Sequence, residues 1–141
     1  MESGIPIHPM VVHFPIAAWL LGTGVLLAAL IARKPQWRGT AWFLLVVGAV
    51  MSVPAALTGR NDLADLAVAT DPDLLKHRDL GNLLPWLMMG LVLLRAHAHF
   101  RKPPLDIPAW IWAGAATILA AILVVTGHLG AKLVYIKHLG F

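Results

Sequence analysis

Four long apolar runs divide the chain. They read Met10 to Ala32, Thr40 to Gly59, Leu80 to Leu94 and Ile107 to about Ala131, and each is separated from the next by a polar stretch. About 20 apolar residues in helical conformation cross a bilayer's hydrocarbon. The first, second and fourth runs reach that length by themselves. The third reaches it because its helix starts early. Asp71-Pro72-Asp73 has an acid to cap the helix, a proline at its first position and an acid in its first turn. The pattern predicts helices over about 9–32, 40–59, 72–99 and 107–137. Pro9 suits a helix start, and Pro15 and Pro54 are expected to bend their helices. Gly59-Arg60-Asn61-Asp62 is expected to end the second.

Short connections between spans favour an up-down-up-down bundle of four helices. Arg33, Lys34, Arg38, Arg95, Arg101 and Lys102 lie in two short loops at one end. Arg60, Lys76, Arg78, Lys132 and Lys137 are spread more thinly at the other, among most of the acids. Dense Lys and Arg mark cytoplasmic loops, so both termini and the 60–79 loop are expected in the periplasm. Trp110, Trp112 and Tyr135 fit the two membrane interfaces.

Composition agrees with the pattern. Residues of hydrophobic type make up 59% and charged residues 13% of the 141, with mean hydropathy +0.76. Soluble domains have about 45–50% and 25%, so the expected class is an all-α integral membrane protein, one domain over 1–141. It is placed as a multi-pass protein of a bacterial inner membrane. The absence of cysteine excludes disulfides, iron–sulfur clusters and covalently attached haem. The net charge of +4 is that of cytoplasmic loops and does not form a nucleic-acid stripe. The Met1–Pro6 segment has no basic region of the kind that opens a signal peptide, so the first run is expected to remain as a span. No internal repeat or low-complexity tract stands out.

The candidate chemistry is histidine. His8-Pro9-Met10-Val11-Val12-His13-Phe14-Pro15 puts two imidazoles at the head of the first span. At about 1.5 Å per residue, His13 and His128 fall about 5 Å inside the outer edge of their spans. His8, His77 and His138 fall at or just beyond that edge. Five imidazoles therefore share one end, while His97 and His99 lie at the other. Ionisable groups within a span are rare without a role, and neutral imidazole is a common ligand of haem iron and other metals. Gly81, Gly127, Gly130, Ala131 and Ala17 supply small residues near them, which either let helices approach or make room for a flat cofactor.

Each signal has a plainer reading. His13 or His128 could bond a neighbouring carbonyl. His8 before Pro9 could be a helix cap, and His77 and His138 could be solvated. Arg60 could pair with Asp62 or hold a haem propionate, and Lys132 and Lys137 could do the latter or snorkel. No nucleophile–base pair, phosphate loop or paired carboxylate appears.

The His8 to Ala17 motif, the Thr58-Gly59-Arg60-Asn61-Asp62-Leu63 corner, His77, and the ending Thr126-Gly127-His128-Leu129-Gly130-Ala131 with His138 and Gly140 resemble a bacterial family of small four-helix membrane proteins catalogued as a domain of unknown function. The resemblance covers nearly the whole chain. Fusion of some relatives to Rieske or cytochrome c domains implies electron transfer. The family's histidines would correspond to His8, His13, His77 and His138. Its ending often reads His-Gly-Val-Gly where this chain has His138-Leu139-Gly140-Phe141.

The expected function is a membrane-bound b-type cytochrome. One or two haems would be bis-histidine-ligated near the periplasmic face, with His13 paired to His128 and His77 to His138. His8 would be a cap or substitute ligand, and His13 with His77 or His8 with His138 are further pairings. Electrons would pass between a quinone or dehydrogenase and a periplasmic acceptor such as a cytochrome c or Rieske-type protein. A homodimer is compatible. A copper or zinc site built from the same histidines with Asp62 is the first alternative, and a cofactor-free anchor for a redox partner the second.

Overall fold

A computed structural model describes residues 7–64 and 71–136, the side chains of residues 7, 9 and 60–64 excepted. It contains α1 (Ile7–Ile31), a 3-10 turn at Pro35–Trp37, α2 (Arg38–Ala64), α3 (Pro72–Phe100) and α4 (Ala109–Tyr135). All four α-helices are long and apolar enough to span a membrane. Each packs against its neighbours in chain order, and α1 closes the bundle against α4.

The helix ends follow local chemistry. At the head of α3 the Asp71 carboxylate accepts from the backbone N–H of Asp73 at 2.9 Å and of Leu74 at 3.4 Å, as the sequence predicts. α1 closes on Arg33, which adopts the left-handed φ of 53°, while the Lys34 N–H reaches back to the Ala29 carbonyl at 2.9 Å. That is the backbone pattern of a Schellman stop, made here without glycine.

Two expected boundaries shift. α2 does not end at Gly59 but runs on to Ala64, and it begins at Arg38. α1 begins at Ile7, so Pro9 lies within its first turn; the N–H that proline lacks there has no helical partner anyway. α4 is described from Ala109 to Tyr135, and its expected extension to 137 lies outside the described residues.

The core sits midway along the bundle. Trp19, Leu26, Leu45 and Met88 are fully buried, and the Trp19 Nε1–H donates to the Ala116 carbonyl of α4 at 3.2 Å. Gly22 and Gly48 let α1 and α2 come together. A methyl on Gly22 would stand 3.0 Å from the Ala41 carbonyl, and one on Gly48 3.0 Å from the Trp19 backbone nitrogen. In lipid, apolar helices gain little by hiding from a solvent as apolar as themselves. Close packing and the Trp19 bond therefore carry the association. Phe14, Phe43, Trp86 and Ile118 remain exposed on the flanks, as lipid contact requires.

Candidate histidine cavity

The first turns of α1 and α3 and the last turns of α2 and α4 meet at one end around a cavity of about 300 Å³. His8, His13 and His77 line it, with Arg78 and Asn82. Most of the remaining wall is apolar or small, from Pro15, Ala55, Gly59, Gly81, Pro85, Met88, Leu123, Gly127 and Gly130.

Two of the imidazoles are fixed in related ways. His77 of α3 lies on Gly130 of α4: a methyl there would fall 2.9 Å from the ring Cε1. Its Nδ1 is 2.9 Å from the Thr126 carbonyl. A carbonyl only accepts, so Nδ1 carries the proton and the neutral ring has its lone pair on Nε2. His8 of α1 lies on Gly59 of α2, where a methyl would fall 2.8 Å from Cε1. Its Nδ1 is 3.1 Å from the Thr58 hydroxyl. That hydroxyl also lies 3.0 Å from the Pro54 and Ala55 carbonyls, either of which can take its one proton. An imidazole anchored through Nδ1–H to backbone, directly or through one hydroxyl, is the usual form of a metal-ligating histidine.

Thr58-Gly59 near the end of α2 returns as Thr126-Gly127 near the end of α4.

The chain matches a family model over residues 4–141. It belongs to the DUF2231 family of predicted membrane proteins. No curated protein and no solved structure matches it.

Within this DUF2231 chain the sequence-predicted residues are sorted as follows. His8 and His77 are brought to one cavity and anchored, and His13 lines it while remaining exposed. His128 is exposed and absent from the lining, so the expected pairing of His13 with His128 has no geometric basis here. Its neighbours Thr126, Gly127, Gly130, Ala131 and Val134 hold the cavity face of α4, and His128, one or two residues from Gly127, Thr126 and Gly130, is turned by about 100–200° from those three. His138, Lys137 and the side chains of Arg60 and Asp62 lie outside the described residues. Lys132 is engaged with Asp73 at 2.8 Å, which ties the end of α4 to the head of α3. His97 and His99 lie at the opposite end of α3.

The residues missed in the sequence are Thr58 and Thr126, which orient the two rings, and Gly59, which was read as a helix end. Thr-Gly recurring at the same end of two helices was the available signal. Among the described residues, no three His, Asp or Glu side chains come together closely enough to hold a metal ion. A closed zinc site takes four protein ligands and an open one three. Haem iron can be held by two imidazoles alone.

Proposed function

We propose that this protein is a membrane-bound b-type cytochrome whose haem would be held by His8 and His77 and whose role is to relay electrons. The observation that carries this reading is the matched anchoring of the two rings. Each comes from the head of its helix, each is held at Nδ1 from the neighbouring helix, by the Thr58 hydroxyl or the Thr126 carbonyl, and each lines the same largely apolar cavity. Bound haem would supply a one-electron couple. The chain's own residues explain the rest. Thr58 and Thr126 hold the rings in place. Gly59 and Gly130 admit the rings. The apolar wall excludes water. Arg78, whose Nε lies 3.2 Å from Asp79 at the cavity's rim, is suited to a propionate carboxylate, and so is Arg60.

Two histidine ligands leave no open position on iron, which favours relay over oxygen binding or catalysis. His13, exposed at the same cavity, is available to a second site or to a docking redox partner. With the basic loops in the cytoplasm, the cavity faces the periplasm of a bacterial inner membrane. A quinone or membrane dehydrogenase is then a fitting donor, and a cytochrome c or Rieske-type protein a fitting acceptor.

The test is the absorption spectrum of the purified full-length protein, oxidised and dithionite-reduced. A Soret band that shifts on reduction is expected. Stoichiometric copper or zinc in a colourless protein would overturn the reading in favour of a metal-handling role. A protein without any cofactor from haem-replete cells would favour the anchor role.

A further inference from the structure

The opposite end of the bundle holds a second cavity, of about 400 Å³, lined by Arg38, Trp42, Arg95, His99, Asp106 and Trp112 among others. It is far more polar than the histidine cavity, and Arg95 is among its lining residues. This residue lies near the end of α3, five residues before Phe100, and is partly buried. The guanidinium carbon lies 5.5 Å from the Trp42 ring centroid and 5.8 Å from that of Trp112, and the two indoles meet edge to face at 6.0 Å.

Burying part of a charged side chain is costly unless it is paired or serves a ligand. Among the described residues the ion pairs are Arg78 with Asp79 and Lys132 with Asp73, and neither involves Arg95 or Arg38. Trp42 and Trp112 hold Arg95 by cation–π attraction, which does not use up its N–H donors.

We propose that this cavity binds a phosphate group between Arg95 and Arg38, with His99 as a further donor. Guanidinium pairs suit phosphate because each presents parallel N–H bonds to two oxygens. One acid, Asp106, shares the cavity with two arginines, and Arg33, Lys34, Arg101 and Lys102 stand in the connections at the same end. Basic pockets between spanning helices take phospholipid head groups. The same chemistry would take free phosphate, so the experiment separates the two sources.

The full-length protein is purified in detergent and exposed to equimolar phosphatidylglycerol and phosphatidylcholine, and retained lipid is read by native mass spectrometry. A parallel arm measures the thermal shift given by inorganic phosphate alone. Preferential phosphatidylglycerol retention, lowered about fivefold by Arg95→Gln and by Arg38→Gln, supports the lipid source. No lipid preference but a phosphate-induced shift that Arg95→Gln abolishes supports free phosphate. Arg95→Lys keeps the charge without the bidentate edge and is expected to retain part of the effect. Should Arg95→Gln not fold, judged by circular dichroism, the Arg38→Gln arm carries the decision. Neither response in the wild type, or responses undiminished in the folded variants, would overturn the proposal.

Discussion

The imidazole of His77 lies on Gly130 with its Nδ1 2.9 Å from the Thr126 carbonyl, and no side chain larger than hydrogen fits beneath it. A methyl at Gly130 would stand 2.9 Å from Cε1. Gly130→Ala is therefore expected to push the ring off its carbonyl, costing about 1–3 kcal/mol as overpacking does. The haem content of the purified protein should fall with it. Gly127→Ala is the control, since a methyl there meets only the Ile16 Cδ1 at 3.9 Å. Equal haem loading in both variants would count against the packing argument.

His8 depends on the Thr58 hydroxyl in the way His77 depends on a carbonyl. Thr58→Val keeps the shape and removes the bridge. A stability loss of about 1 kcal/mol is expected, together with a shifted reduction potential, because the ring loses its fixed Nδ1 partner. Thr58→Ser should restore both. A potential unchanged by Val would show that the hydroxyl does not act on the ligand.

Trp19 joins α1 to α4 through a bond to the Ala116 carbonyl. Trp19→Phe should cost about 1 kcal/mol, the worth of one hydrogen bond. Trp19→Ala, which also opens a cavity at a fully buried site, should cost about 3–5 kcal/mol. Thermal unfolding in detergent measures both. Similar losses in the two variants would mean that the bond, not the packing, dominates.

The Lys132–Asp73 ion pair is partly exposed, with Lys132 at 38% and Asp73 at 20%. A double-mutant cycle should give a coupling of only about 0.2–1 kcal/mol, falling as salt is raised. A coupling well above that range would mark the pair as part of the cavity's machinery and not a clasp on its rim.

Hydropathy made the four spans and their order legible, since length and apolarity decide whether a helix crosses a bilayer. The cap at Asp71 was legible for the same kind of local reason. The end of α2 was not. Gly59-Arg60-Asn61-Asp62 has the composition of a break, but the helix continues and Gly59 serves the packing of His8. Depth along each helix was also readable, and it put His128 at the right end. Depth carries no azimuth, however. The small residues Gly127, Gly130 and Ala131 at helical spacing mark the inward stripe of α4, and His128 lies off it. His8, read as a cap, proves to be one of the two anchored rings, because its partner Thr58 lies fifty residues away in the chain. Such cross-helix partners cannot be read from local pattern.

The central claim is that His8 and His77 act as a pair, and spectra of the full-length protein beside His8→Ala and His77→Ala test it most directly. The account predicts a low-spin b-type spectrum in the wild type, and its loss or conversion to a high-spin form in each single variant. A wild-type spectrum retained in either variant, or a colourless wild-type protein from haem-replete cells, would contradict it.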